Sequence, residues 1–144
     1  MTDHVMVRRT AATQATLDEF VGKPFRWGRS DCARLVAAHL RRLGYTVRVP
    51  SAGSYASARS ALKALRARGF ESMAEALDAI GLERIAPIEA VVGDIVQGES
   101  GDVFGALGVK LGNGRLLGYH EHAVGAAVLQ EVDLKLAWRV EVKA

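Results

Sequence analysis

Pro24-Phe25-Arg26-Trp27-Gly28-Arg29-Ser30-Asp31-Cys32 runs straight into Ala33-Arg34-Leu35-Val36-Ala37-Ala38-His39-Leu40-Arg41-Arg42-Leu43-Gly44, and this stretch decides the fold. Pro24 and Gly28 mark Lys23 to Ser30 as a loop. Ser30 or Asp31 then supplies the side-chain oxygen that caps a helix, and Gly44 stops it. Within that helix Cys32, Leu35, Val36, His39, Leu40 and Leu43 recur at i, i+3, i+4 and i+7 over three turns. One face is therefore apolar and belongs against a core.

Working outward, Thr13 is the expected cap of a helix to about Val21, with Gly22 as its stop. Tyr45 to Ser54 reads as extended or looped. Ser57 caps a third helix to Arg68, before Gly69, with an apolar stripe of Ala58, Ala61, Leu62 and Leu65. Ser72 and Glu75 form the pattern of a capping box for a fourth helix that ends at Gly81. After Pro87 the period changes to short strands: Asp94 to Gln97, Val103 to Leu111, Arg115 to His120, Val124 to Val132 and Trp138 to Val142. Gly112-Asn113-Gly114 is the hairpin turn between the second and third of these. Helices followed by tightly turned strands predict an α+β fold, with the helices packed on one face of an antiparallel sheet.

Composition bounds the function. With 144 residues, 49% of them apolar, the chain is read as one domain, residues 1–144, able to bury a core without staples. A net charge of +3 does not call for nucleic acid. Arg59, Lys63, Arg66 and Arg68 make one basic helix face, but no interleaved aromatics offer base stacking, so that face is read as solvated. No apolar run reaches membrane-spanning length, and Met1 to Arg9 carries no apolar secretion core. A single cysteine excludes an intrachain disulfide, and the four histidines give no zinc-type ligand spacing. No metal or cofactor is expected, and the chain is expected to be made in a reducing cytoplasm.

Cys32 is the residue best placed for chemistry. In the first turn of a helix, N–H groups and the positive dipole end favour a thiolate and offer an oxyanion site. Arg26 and Arg29 act in the same direction. A lone cysteine on an apolar stripe is equally a small buried hydrophobe, so spacing leaves both readings open. A nucleophile also needs a base. His39 lies seven residues along the same helix, roughly 10 Å away, and reads as a hydrogen-bonded core histidine. His4 is placed in a terminal tail. His120 and His122 remain, at the end of the third strand, where their other reading is a solvated strand end.

Pro24-Phe25-Arg26-Trp27-Gly28 with Asp31-Cys32-Ala33-Arg34-Leu35-Val36 resembles the signature of the papain-like, NlpC-type cell-wall cysteine peptidases, a Pro-Tyr-x-Trp-Gly loop followed by Asp-Cys-Ser-Gly-Leu-Val. Val92-Gly93-Asp94-Ile95-Val96 is similar to the family's Pro-Gly-Asp-Leu-Val strand. Ala106-Leu107-Gly108-Val109-Lys110-Leu111-Gly112-Asn113-Gly114 is similar to its His-Val-Gly-Ile-x-Leu-Gly-Asn-Gly hairpin. The resemblance runs in order from about Val21 to Gly118. It implies a papain-like NlpC-type domain with Cys32 as nucleophile.

The departures are specific. The family's catalytic histidine falls on Ala106, its third polar residue near Gly118, its loop tyrosine on Phe25, and its Ser-Gly on Ala33-Arg34. His120 first, then His122, could replace the lost base only through a register slip or bulge. With the closing Ala137-Trp138-Arg139-Val140, the combination also resembles small proteins encoded in phage tail gene clusters. That resemblance implies a virion tail-tip or tail-assembly protein on a degenerate peptidase fold, with other tail proteins (hub or tip components) as partners. The alternative is a working thiol amidohydrolase that cleaves peptidoglycan stem peptides during phage entry.

Overall fold

The computed structural model describes residues 3–99, 106–120 and 124–143. Among them are four α-helices, α1 (Asp3–Phe20), α2 (Cys32–Arg42), α3 (Ala58–Ala67) and α4 (Met73–Ile80). Six strands follow: β1 (Glu83–Ile85), β2 (Ile95–Gly98), β3 (Ala106–Lys110), β4 (Arg115–Gly118), β5 (Ala127–Gln130) and β6 (Leu136–Arg139). The strands form one sheet in the order β1-β6-β2-β3-β4-β5, every neighbouring pair antiparallel. The fold is α+β, as the change of period near Pro87 predicts. The Gly112-Asn113-Gly114 turn also forms as expected, with φ of 59° at Asn113 and 69° at Gly114.

Several boundaries need correction. Thr13 is not a cap: α1 begins ten residues earlier, and the buried Thr13 hydroxyl donates back to the Arg9 carbonyl at 2.8 Å. A threonine inside a helix can satisfy its hydroxyl this way, so it does not by itself mark a start. His4 accordingly sits in the first turn of α1, exposed, and not in a tail. Ser72 caps α4 through the Glu75 N–H, but the Glu75 carboxylate turns to the Glu71 N–H, so that box is incomplete. The full box belongs to Ser57 and Ser60 on α3. β1 was not expected at all. Its three residues have no period of their own and extend because they pair with β6. Of the strand expected over Val103 to Leu111, residues 103–105 lie outside the described residues.

The core lies between α2 and the sheet. Leu35, Val36, Leu40 and Leu43 pack with Ile95, Leu107, Val109, Leu117 and Trp138. Leu35, Leu40, Ile95, Leu117 and Trp138 are fully buried, and each such side chain contributes about 2 kcal/mol from lost apolar exposure. On the other face Val96, Leu116 and Ala137 form a smaller cluster with Leu129 and Ile85. Gly108 and Gly118 pair across β3 and β4. Leu116 lies over both: a Cβ at Gly108 would meet its Cδ1 at 2.7 Å, and one at Gly118 at 3.0 Å. The small residues in these strands thus make room for a leucine of the sheet itself, not for a helix.

A buried ion pair ties the first helix to the sheet. Arg9 Nη2 meets Asp94 Oδ1 at 2.8 Å, both side chains fully shielded from solvent. Arg9 also donates to the carbonyls of Val92 and Val140, and Asp94 accepts from Arg139 and from the Val91 and Val140 N–H groups. Such a pair is tolerable only because these bonds replace lost hydration. Among the described residues no helix is long and apolar enough to cross a membrane.

Candidate functional site

The loop before Cys32 is held by Asp31. Its buried carboxylate accepts from the Arg34 N–H at 2.9 Å, capping α2, and from the Gly28 N–H at 2.9 Å and the Tyr55 hydroxyl at 2.7 Å. Gly28 has φ of +77°, and a Cβ there would lie 2.1 Å from the Tyr55 carbonyl oxygen. The Trp-Gly-x-x-Asp-Cys spacing therefore has a physical reason. Gly28 lets two segments approach, and Asp31 locks the approach to the start of the helix. Arg26 and Ser30 exchange backbone hydrogen bonds at 3.0 Å, closing the loop on itself.

Cys32 is the first residue of α2, half-buried against the main core. Tyr119, immediately after β4, packs against the same core, with its ring edge-to-face on Phe25 at 5.2 Å. Phe25 in turn stands edge-to-face to Trp27 at 4.9 Å. The Tyr119 hydroxyl is shielded from solvent and makes no hydrogen bond of normal geometry among the described residues. The Ser30 hydroxyl donates to the Pro24 carbonyl at 2.5 Å. Burial pushes the Tyr119 phenol up to about 12, offset in part by Ser30, and the charges of Asp31 and Cys32 act with burial. At neutral pH that phenol is a proton donor and not a base. Tyr55 is likewise pushed up, by burial and by its bond to Asp31.

His39 is a core residue: it is fully buried, its Nε2 donates to the Gly93 carbonyl at 2.8 Å, and its Nδ1 meets the Thr16 hydroxyl at 2.9 Å. Burial lowers its pKa to about 4. His120 lies two residues beyond the end of β4 and is exposed. His122 lies outside the described residues. Ala106 opens β3 and by strand alternation shares the face of Gly108; a methyl group there has no acid–base function. Arg29, expected to favour a thiolate, has its guanidinium against Gly53. Among the described residues no three His, Cys, Asp or Glu side chains group as metal ligands.

Tyr119 and Tyr55 were not singled out in the sequence. Tyr119 was open to strand alternation, since it is two residues after the buried Leu117. Tyr55 carried no comparable signal. Cys32 also lines a cavity of about 270 Å³ that reaches between α2, α3 and α4.

Residues 6–140 match the family described as Domain of unknown function (DUF6950). The chain belongs to the DUF6950 family. The match begins within α1 and ends one residue after β6, so the DUF6950 domain takes in the whole sheet, the Asp31 loop and the cavity. No curated protein matches this sequence.

Proposed function

We propose that this DUF6950 protein is a structural component of a phage tail, at the tip or in its assembly, built on a degenerate NlpC-like cysteine peptidase domain. Other tail proteins are its partners, and it is made in the bacterial cytoplasm before joining the virion. One observation carries the non-hydrolytic half of this reading. In the alignment of motifs Ala106 and Gly118 fall where the resembling peptidases hold their histidine and third polar residue, and Tyr119, just after β4, packs against the same core as Cys32. Methyl, hydrogen and a phenol near 12 do not deprotonate a thiol at neutral pH. The tail assignment rests on the ordered motifs from Val21 to Gly118 and the closing Ala137-Trp138-Arg139-Val140.

The second reading, a thiol amidohydrolase acting on peptidoglycan stem peptides, is favoured by the position of Cys32 at a capped helix start and on a cavity wall. His120 or His122 would then serve as base. A zymogram on purified cell walls separates the two. The structural reading expects no clearing by wild type or by Cys32→Ala. Clearing that is lost in Cys32→Ala and in His120→Ala or His122→Ala would overturn it.

A further inference from the structure

The domain has two apolar clusters on the helical side. The main one centres on α2 and the sheet, and the second joins Tyr55, Ala61 and Leu65 with Trp27, Leu62 and Phe70. Met73 packs against both. The 270 Å³ cavity lies between them, walled by Val36, Leu40, Leu65, Phe70 and Leu77; Cys32 borders it at the start of α2, whereas Val47, the neighbour of Arg48, is bonded to Arg41 in the last turn of α2. Two clusters of this kind would ordinarily collapse together, because packed interiors leave few voids larger than a water.

Hydrogen bonds fix the segments around the cavity. The Tyr55 hydroxyl is fixed on Asp31 at 2.7 Å. Arg34 Nη1 donates to the Pro50 carbonyl at 2.9 Å, and Arg68 Nη1 to the Arg48 carbonyl at 2.7 Å. These bonds set the spacing of α3 and of residues 46–50 from α2 independently of apolar contact. The space is larger than the roughly 150 Å³ that holds benzene in an engineered apolar cavity, and close to the lower end of ligand pockets.

The lining is asymmetric in charge. Arg48 and Arg68 both border the cavity, are exposed, and make no ion pair among the described residues. Near Cys32 the cavity is bordered by the Asp31 carboxylate, already engaged by three donors, and by Tyr55, whose hydroxyl is one of them. An apolar body with an anionic end would therefore enter with its charge at the arginines and its tail toward Cys32. Guanidinium groups recognise carboxylates through paired N–H donors.

We propose that this cavity is a binding site for a medium-length aliphatic carboxylate, with the chain between the two clusters, the carboxylate at Arg48 and Arg68, and the chain terminus beside the Cys32 thiol. The site requires no hydrolysis and stands whether or not the tail reading does.

The test uses the full chain with decanoate and decanol as probes, read by titration calorimetry and by the rate of Cys32 alkylation with iodoacetamide. Decanoate is expected to bind saturably and to slow alkylation. Decanol should bind about tenfold more weakly, the loss expected for charge-assisted hydrogen bonds. Arg48→Ala with Arg68→Gln, which removes both charges but keeps an N–H donor for the Arg48 carbonyl, should bring decanoate down to the affinity of decanol. Ala64→Phe, which places a ring in the cavity, should abolish both, and Ala61→Leu serves if that variant does not fold. Cys32→Ser should retain calorimetric binding. Absence of saturable binding by either probe, or binding unaltered by the cavity-filling variant, overturns the site. Equal affinity for decanoate and decanol overturns the assignment of its anionic end.

Discussion

The Tyr55 hydroxyl donates to the Asp31 carboxylate at 2.7 Å, across 24 positions of sequence, and so fastens the segment before α3 to the cap of α2. Removing that donor leaves Asp31 buried with the Gly28 and Arg34 N–H groups alone. Tyr55→Phe is expected to lower stability by about 1–2 kcal/mol, the cost of one lost bond to a charged buried group. Asp31→Ala removes all three bonds and the helix cap and should cost more. Urea denaturation followed by circular dichroism measures both. Equal midpoints for wild type and Tyr55→Phe would contradict this role.

Gly28 makes the same junction possible from the backbone side. Its φ of +77° and the 2.1 Å approach of the Tyr55 carbonyl oxygen to a would-be Cβ leave no room for a methyl group. Since the obstacle is backbone, it cannot rotate away. Gly28→Ala should destabilise by about 3 kcal/mol or more. Gly69→Ala is the control, with positive φ but nothing within 4 Å of its Cβ, and should cost about 1 kcal/mol. A smaller loss at Gly28 than at Gly69 would refute the steric argument.

The parts legible in the sequence are those where a local rule and the tertiary demand coincide. α2 combined a 3.6-residue period, an acidic cap and a glycine stop, and the β3–β4 turn carried two residues that accept positive φ. The start of α1 was hidden because Asp3 to Arg9 shows no apolar stripe; the residue it buries is an arginine. Arg9 reads as a surface side chain until Asp94, 85 positions away, is folded against it. The candidate base was unreadable for a related reason. Alternation places side chains only while a strand lasts, and β4 ends at Gly118, before His120. The cavity left no mark because the segments around it are fixed by hydrogen bonds from Tyr55, Arg34 and Arg68 to distant partners.

The Arg9–Asp94 pair gives a large expected effect. Arg9→Met keeps the apolar stem but leaves Asp94 with Arg139 and two N–H groups, and orphans the carbonyls of Val92 and Val140. Breaking one side of a buried pair costs about 3–5 kcal/mol. Arg9→Lys should fall between, since an ammonium cannot span the same acceptors in a fixed plane. The ranking wild type, Arg9→Lys, Arg9→Met is read from denaturation midpoints, and an Arg9→Met protein as stable as wild type would show the pair to be dispensable.

His39 sets the expected response to acid. Its Nε2 faces the Gly93 carbonyl, which can only accept, so Nε2 carries the proton in the neutral ring. Nδ1 and the Ala12 carbonyl, at 2.9 and 3.0 Å, then share the single Thr16 hydroxyl proton, and the same oxygen receives the Arg42 guanidinium at 3.1 Å. A second proton on Nδ1 could be donated to the Thr16 oxygen, with Thr16 turned to the Ala12 carbonyl, so its cost is the buried charge it adds near Arg9 and Arg42. Burial is the main cause that holds the folded-state pKa at about 4, with Arg9 and Arg42 acting in the same sense and the Gly93 bond and Asp94 opposing. In the unfolded chain the ordinary value is near 6.5. Between the two values the unfolded chain binds a proton that the folded protein does not. Stability therefore falls as pH drops from about 7 toward about 4, by on the order of 3 kcal/mol. His39→Gln should be less stable at pH 7, where a tuned hydrogen-bond pair is lost, yet show a shallower slope between pH 6.5 and 4.5, because no imidazole remains to titrate. Denaturation midpoints across that range for the two proteins measure the difference. Parallel slopes would assign the acid sensitivity to carboxylates elsewhere and remove His39 from this account.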